Sequence, residues 1–301
     1  MNTQEINWVK DCLPTQMVYP YFKDKFALEL LDLSFEDETP ISTIKQSRFG
    51  KLLNRPAVKE VTAQCGDGKL NKNAITNYWG DETHFLRLTL GEWGYVTKKK
   101  RQWYQVSRPQ KNLVLQVNFD GNHDQAFYRY MGEENKGMFD VWGHPGSKEL
   151  NTLGWVRMDI CMDRGEVLIE EVQSDWVKRA RRYPRGPQAV HHHPGLRTFE
   201  WYHRQLKPYL KMWEEMLLSA AIYFIAKQLG LSNIWYHTFE SGKHYKMMPQ
   251  RSLPPRSVYT KLPEKFGFEK VHQTPDILTS CPELKNFLRR GREVNFYQLK
   301  F

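Results

Sequence analysis

A glutamate and a tyrosine in the second half of this chain are residue types able to move protons in a transfer reaction. Glu171 lies at the end of a predicted strand, and Tyr259 follows much later in the sequence. A carboxylate accepts a proton from a nucleophile, and a phenol donates one to a leaving group. Glu171 and Tyr259 are therefore the candidate catalytic residues. The structural alternatives are an ion pair of Glu171 with neighbouring arginines and a buried Tyr259 whose hydroxyl is hydrogen-bonded.

A dense cluster of positive charge follows Glu171. Five basic residues lie between Lys178 and Arg185. Arginine binds phosphate through two parallel hydrogen bonds, and lysine contributes a point charge. The cluster therefore predicts an acidic partner, either the phosphates of a cofactor or nucleic acid. The candidate cofactor-binding residues are Gln173, Lys178, Arg179, Arg181 and Arg182.

A metal-dependent nuclease is a second hypothesis for the same region. Asp159 and the run Glu171–Gln173 approximate the PD-(D/E)xK layout, in which acidic groups bind Mg²⁺ and a further polar residue orients water. Gln173 stands where that layout has lysine. Acidic pairs on hairpins are also common by chance, and this weakens the nuclease hypothesis.

A third hypothesis requires no catalysis. The charges between Lys178 and Arg185, with Trp176, Trp201 and Tyr202, predict a basic surface on which nucleic-acid bases stack. The basic run Lys98–Arg101 is typical of a solvated hairpin tip. The consecutive residues His191–His193 lie in a predicted loop, Tyr183–Gly195, and cannot all face one tetrahedral metal from a regular element. We therefore predict no metal site.

Composition sets the limits for these hypotheses. The chain has 301 residues, 40% of them hydrophobic, with 44 Lys+Arg against 34 Asp+Glu and a formal net charge of +10. A chain of this size buries a true core, and its field attracts anions. The four cysteines are scattered without a CxxC pair, which is typical of reduced thiols. We predict no membrane span and no secretory signal, and hence a cytoplasmic protein.

The elements that position these residues follow from hydrophobic periodicity. Alternation predicts strands at His84–Leu90 and Asn112–Phe119, and a hairpin of Gly154–Cys161 and Glu166–Gln173 with an Asp- and Gly-rich turn. Apolar residues recur at helical spacing from Met212 to Leu229, and Gly230 ends that pattern. The remaining predictions are a strand at Asn233–Phe239, a short helix at Arg256–Lys265 and a last strand at Val294–Leu299. Residues 1–80 are predicted to form a mostly helical amino-terminal extension, and residues 81–301 an α/β domain.

From Gly154 onward the predicted order is strand, strand, long helix, strand, short helix, strand. With Val258–Glu269 in the second helix, that order resembles the closing half of the GNAT N-acetyltransferase fold. The run Val167–Trp176, which contains Glu-Glu-Val-Gln-Ser-Asp-Trp, is similar to a segment of large polyvalent proteins of bacteriophages and mobile elements. The similarity spans roughly residues 83–301. It implies a mixed α/β fold with a largely antiparallel twisted sheet flanked by helices.

The resemblance also implies acetyl-coenzyme A as cofactor and transfer of its acyl group to an amine. In such enzymes the backbone amides of a glycine-containing loop at a helix amino terminus hold the pyrophosphate. No glycine pair follows Gln173 here, so the arginines after it are the expected replacement. Glu171 would then deprotonate the amine, and Tyr259 would protonate the departing thiolate. The main alternative is a noncatalytic module that binds nucleic acid or protein on the same scaffold.

Overall fold

Short segments of alternating or continuous hydrophobicity form the strands of one sheet. The computed structural model describes residues 1–94, 105–185, 195–247, 255–284 and 295–301. The strands are β1 (Met17–Tyr21), β2 (His84–Trp93), β3 (Asn112–Asn118), β4 (Thr152–Cys161), β5 (Glu166–Gln173), β6 (Asn233–His237), β7 (Glu269–Val271) and β8 (Phe296–Lys300). They form an eight-stranded sheet in the order β1-β2-β3-β4-β5-β6-β8-β7.

Neighbouring strands of this sheet are antiparallel with one exception, since β5 and β6 run parallel. Parallel neighbours need a long crossover connection, which a helix usually supplies. The long helix between β5 and β6 provides it here. The predicted mixed α/β fold with a largely antiparallel sheet is therefore confirmed.

Several helices begin at a residue whose side chain accepts a backbone hydrogen bond from the first turn. Asn2, Asp120, Ser174 and Thr238 all do so, which satisfies amide groups that have no partner within the helix. The helices are α1 (Thr3–Cys12), α2 (Lys25–Ser34), α3 (Ile41–Gln46), α4 (Pro56–Ala63), α5 (Lys72–Thr76), α6 (Gly121–Met131), α7 (Asp175–Arg182), α8 (Leu196–Tyr223), α9 (Phe239–Tyr245), α10 (Lys261–Lys265) and α11 (Asp276–Thr279). Short 3-10 turns lie at Gly50–Asn54, Glu133–Asn135, Met162–Arg164, Tyr183–Arg185, Arg256–Tyr259 and Pro282–Leu284.

Helix α8 is the central helix of the fold and packs against β3, β4 and β5. The apolar periodicity predicts it from Met212, but the helix begins already at Leu196 because its buried face continues through aromatic residues upstream. It ends in a π-helical turn, Phe224–Gln228, followed by Gly230 in the left-handed conformation. A glycine adopts that conformation without steric cost, as the predicted stop requires.

Two elements differ from their predicted extent, since one strand is shorter and one helix is divided in two. The predicted strand Asn233–Phe239 ends at His237, because Thr238 caps α9. The predicted helix Arg256–Lys265 is instead a 3-10 turn followed by the short α10. Pro263 has no amide hydrogen, and its ring collides with the carbonyl group one turn earlier, so a continuous helix through both pieces is disfavoured.

The first 80 residues contain α1 to α5 and also β1, a strand that alternation does not reveal. β1 pairs with β2, and the Tyr19 hydroxyl lies 2.7 Å from the Ser219 hydroxyl of α8. Phe26 of α2 stacks on Phe266 with ring centroids 4.4 Å apart. Residues from both parts of the chain therefore share one hydrophobic core. The division at residue 80 stays a prediction.

A second, smaller hydrophobic cluster lies around Leu168, Trp235 and Ile277. The run Lys98–Arg101 and the residues His191–His193 lie outside the described residues. Within the ranges that the structure describes, no helix has both the length and the apolar character to cross a bilayer.

Candidate functional site

An irregularity in β5 separates two adjacent glutamates. Arg157 of β4 lies opposite Glu171, whereas the next residue, Met158, lies opposite Ile169, so Glu170 is an extra residue in β5. Such a β-bulge bends the strand and redirects its side chains. The parallel pairing of β5 with β6 also stops here, because Ile169 and Tyr236 are the last partners. Glu170 and Glu171 consequently enter different surroundings.

Glu170 lies in a fully buried polar cluster. Its carboxylate accepts hydrogen bonds from the Ser107 amide at 3.0 Å and the Ser107 hydroxyl at 2.8 Å, and it lies 3.3 Å from Nε2 of His237. Burial by itself raises the pKa of Glu170, but the His237 hydrogen bond and the charges of Lys246 and Arg157 outweigh burial and lower this pKa to about 2. Burial also lowers the pKa of His237, whose Nδ1 lies 2.9 Å from the Ser241 hydroxyl. The cluster therefore contains a buried, charged carboxylate that Ser107 and His237 contact and that the cations Lys246 and Arg157 stabilise.

Tyr259 belongs to the same buried cluster. Lys246 Nζ donates to the Glu170 carbonyl oxygen at 2.7 Å and to the Tyr259 hydroxyl at 3.2 Å. That hydroxyl donates in turn to the Glu170 carbonyl at 3.4 Å. Burial lowers the pKa of Lys246 to about 8 and raises the pKa of Tyr259. Tyr259 is thus the buried, hydrogen-bonded aromatic residue of the structural alternative, and the role of its hydroxyl as a catalytic acid stays a prediction.

Glu171 instead lines an open cleft of about 820 Å³, the central cleft. Its Oε2 accepts a hydrogen bond from Arg157, whose guanidinium lies 5.4 Å from the Trp93 ring centroid and 5.9 Å from that of Trp155. Among the described residues, no group bonds to Oε1 of Glu171. The polar residues that line this cleft are Gln105, His144, Arg157, Glu171, Gln173, Ser174, Lys178, Arg181, Arg182 and Arg185, and its aromatic residues include Trp93, Trp155 and Trp213.

One face of α7 supplies the positive charge of the central cleft. Arg181 donates to the Leu210 carbonyl oxygen at 2.9 Å. The side chains of Lys178, Arg182 and Arg185 have no ion pair or hydrogen bond with any described residue. The structure therefore places the predicted cofactor-binding residues Gln173, Lys178, Arg181 and Arg182 in one cleft with Glu171.

Arg179 lies apart from this group, although it is on the same helix. It is absent from the cleft lining, and its guanidinium donates to the carbonyl oxygen of Met138 at 3.4 Å. The helical period explains this placement, because residues 178, 181 and 182 share one face of α7 and residue 179 turns away from it. Residue 185 lies in the 3-10 turn that follows the helix. A substitution of Arg179 is therefore a matched control for substitutions of its neighbours in the cleft.

His144 is a functional candidate that sequence reasoning missed. Its Nδ1 lies 2.6 Å from Asp175 Oδ2 and 3.2 Å from Gln173 Nε2, and Gln173 donates to Asp175 Oδ1 at 2.7 Å. The imidazole lines both the central cleft and a side cleft of about 430 Å³ that also contains Trp142. His144 lies in a Gly- and Pro-rich stretch far from Asp175 in sequence, so no local spacing indicates the pair.

The nuclease hypothesis has little geometric support. Both carboxylate oxygens of Asp159 accept hydrogen bonds from Arg108. Asp159 lies opposite Leu168, whereas Glu171 lies opposite Arg157 farther along the hairpin. In the described part of the chain, no three His, Cys, Asp or Glu side chains are grouped so that they could hold a metal ion.

The predicted stacking surface is largely buried. Trp176 and Tyr202 lie in the core, where the Trp176 indole donates to the Tyr202 hydroxyl at 2.8 Å. Of the three aromatic residues proposed to stack on bases, Trp201 alone is exposed. This part of the prediction is wrong, because the aromatic side chains of α7 and α8 face each other and the sheet.

Comparison of the chain with protein-family models, curated proteins and solved structures finds no match. Its function is therefore inferred from the chemistry and geometry of the central cleft.

Proposed function

We propose that the protein is an acyl-coenzyme-A-dependent N-acyltransferase whose central cleft holds the cofactor. The observation that carries the proposal is that one cleft contains Glu171 together with Lys178, Arg182 and Arg185, whose charges are uncompensated among the described residues. Cationic side chains that have no carboxylate partner attract anions most strongly. A ligand that carries several phosphates and a reactive thioester matches both features.

The cations of α7 would bind the cofactor phosphates. They project from one helical face, so a pyrophosphate and a further phosphate lying along the helix would contact them in turn. Arginine donates two parallel hydrogen bonds to a phosphate. In other phosphate sites the backbone amides of a loop donate such hydrogen bonds. This arrangement supplies the charge that a glycine-containing loop after Gln173 would otherwise provide.

The acyl group would then lie toward the bulge in β5. Glu171 stands there with Oε2 held by Arg157, so its other oxygen is available to accept a proton from an amine. The deprotonated amine attacks the thioester carbonyl carbon, the carbon–sulfur bond breaks, and the thiol form of coenzyme A and an amide are the products.

Calorimetric titration with acetyl-coenzyme A tests the proposal. We expect saturable binding with a micromolar dissociation constant, equivalent to about −8 kcal/mol, which desulfo-coenzyme A reproduces and ATP does not. Arg182→Ala should weaken binding about tenfold or more, whereas Arg179→Ala should leave it unchanged because Arg179 lies outside the cleft. Equal affinity for ATP, or equal losses in the two variants, would contradict a cofactor site.

The chemical step has a separate test. Glu171→Gln should bind desulfo-coenzyme A normally but lose turnover by about 10²-fold or more, the usual contribution of a general base. Hydroxylamine serves as a small acceptor, because its acetyl product is measured directly as a hydroxamate. Full turnover in Glu171→Gln would refute the assigned role.

Binding of single-stranded nucleic acid is the second candidate function. The observation that favours it is that the partly exposed Trp93 lines the same cleft as the cations of α7, with the buried Trp155 and Trp213 beside it. Bases stack on aromatic rings, and phosphates pair with lysine and arginine. A labelled oligonucleotide should then bind with an affinity that falls steeply with salt, in place of selective binding of acetyl-coenzyme A.

A further inference from the structure

Acyl transfer from a thioester is assisted by a proton donor as well as a base, since the departing thiolate takes up a proton to become the thiol product. The sequence pattern assigns this role to Tyr259. The Tyr259 hydroxyl, however, is buried between Lys246 and the Glu170 carbonyl and does not line the central cleft. A second proton-transfer group must therefore come from the cleft itself.

His144 lies in the central cleft beside Glu171. On the β4–β5 hairpin, Arg157 lies opposite Glu171 and Trp155 lies opposite Gln173. Residues two apart on a strand point to the same face and are roughly 7 Å apart. The His144 ring contacts Gln173 at 3.2 Å, so it lies beside the residue that follows Glu171 on the same face of the strand. Both His144 and Glu171 line the central cleft.

Asp175 orients the His144 ring and balances its charge. The 2.6 Å contact fixes Nδ1 on the carboxylate, and Gln173 holds the other carboxylate oxygen at 2.7 Å. The edges of Trp93 and Trp155 flank the imidazole, with ring centroids at 6.2 and 5.9 Å. A carboxylate in this position selects the ring orientation and stabilises the imidazolium.

The other ring nitrogen of His144 remains available. No described group bonds to Nε2, and the side chain is 34% exposed. A buried structural histidine usually has both nitrogens satisfied by the protein, as His237 does. His144 has one nitrogen held by the protein and one open to the cleft, which is the arrangement that proton transfer to a ligand requires.

We infer that His144, held by Asp175, is the general acid of the reaction; this inference rests on the proposed acyl transfer. The amine nitrogen attacks the carbonyl carbon, and its proton passes to Glu171. As the carbon–sulfur bond breaks, its electron pair goes to sulfur, and the Nε2 proton of His144 goes to the same sulfur to form the free thiol. Glu171 then releases its proton to water, and His144 takes one from water, which restores both groups.

The pH dependence distinguishes this role from a structural one. A general acid must carry a proton, so turnover of the wild-type protein should decline toward alkaline pH, and a variant without the acid should lose that decline. The groups that face this ring are Asp175 of α7, Gln173 of β5, Trp93 of β2 and Trp155 of β4, with Arg157, Glu171 and Lys178 lining the same cleft.

The experiment compares His144→Gln with wild-type protein, using acetyl-coenzyme A and hydroxylamine. We expect His144→Gln to lower turnover by about 10²-fold or more, to leave the affinity for desulfo-coenzyme A unchanged, and to abolish the alkaline decline of the rate. Asp175→Asn should also reduce turnover, because it removes the carboxylate that orients the His144 ring. His272→Gln, a change of an exposed histidine on the 271–275 segment, is the matched control and should behave as wild type.

Three other results would overturn the inference. If His144→Gln keeps wild-type turnover and the same pH profile, His144 does not transfer the proton. If His144→Gln loses affinity for desulfo-coenzyme A in proportion to turnover, the residue binds the ligand and is not an acid. If wild-type protein neither binds desulfo-coenzyme A nor accelerates hydroxamate formation, the proposed function itself fails, and the inference fails with it.

Discussion

At the scale of single residues, the bulge in β5 gives two neighbouring glutamates opposite roles. Glu170 is enclosed by Ser107 and His237, whereas Glu171 faces the central cleft beside Arg157. In the sequence the two glutamates are equivalent, because the residue types around them do not indicate a β-bulge. Sequence reasoning selected Glu171 from its position at the strand end and could not foresee the partners of Glu170.

Glu170 should make stability depend on pH. Its folded pKa, about 2, is lower than the roughly 4.3 of an exposed glutamate. The unfolded chain therefore binds this proton first on acidification, so the stabilisation is complete above about pH 5 and is lost as pH falls toward 2. Urea unfolding of wild-type protein between pH 7 and pH 3 should show this decline.

Glu170→Gln should flatten that decline and destabilise the protein at pH 7 by about 3 kcal/mol, because Lys246 and Arg157 lose a buried countercharge. Glu200→Gln, at an exposed position of α8, is the control and should change neither quantity. A Glu170→Gln protein with wild-type stability at pH 7 would show that the buried cluster contributes nothing to folding.

At the scale of elements, local patterns predict the hairpin and the long helix well. Alternation predicts the β4–β5 hairpin, and helical spacing with a turn glycine at Gly230 predicts where the long helical segment stops. Each of these signals lies within a short stretch of sequence. The sites depend instead on distant segments. Ser107 lies 130 residues before its partner His237, and such pairings have no signal in one sequence. Five of the seven predicted site residues nevertheless line one cleft, since they share one strand end and one helix face.

Gly154 of β4 allows α8 to approach the sheet closely. A Cβ atom at this position would lie 2.7 Å from Leu217 Cδ1 and 2.6 Å from the Gln173 carbonyl oxygen. Gly154→Ala should therefore destabilise the protein by about 1 to 3 kcal/mol through overpacking. The urea midpoint measures this change.

Gly121→Ala is the matched control for this prediction, because nothing lies within 4 Å of a Cβ atom there. It should be neutral or stabilise by about 0.5 kcal/mol, since alanine restricts the unfolded chain. Equal midpoints for the two variants would show that the packing of α8 on β4 leaves room for a methyl group at position 154.

At the scale of the whole molecule, one hydrophobic core joins the beginning and the end of the chain. Phe26 of α2 stacks on Phe266. β1, from the beginning of the chain, belongs to the same sheet as β5 and β6. A large shared core makes neighbouring elements unfold together. The amino-terminal helices are therefore expected to support the cleft indirectly.

Phe26→Ala should test that cooperativity. Removing a buried phenylalanine costs about 3 to 5 kcal/mol of unfolding free energy. The midpoint of unfolding should fall, and far-ultraviolet circular dichroism and tryptophan fluorescence should report the same single transition. Tyr19→Phe, which keeps the ring and loses the hydroxyl's hydrogen bonds with Glu29 and Ser219, should shift the same transition less. Separate transitions for the two probes would indicate that residues 1–80 unfold on their own.

The ends of the sheet have a consequence for behaviour at high concentration. Its outer strands are β1, which contains Pro20, and β7, which has three residues and includes Lys270. A proline removes an amide donor, and a short edge with a lysine offers little length for a neighbouring chain to pair with. Both open borders of the sheet are therefore poor templates for strand addition, which protects this strand-rich core against cross-β aggregation.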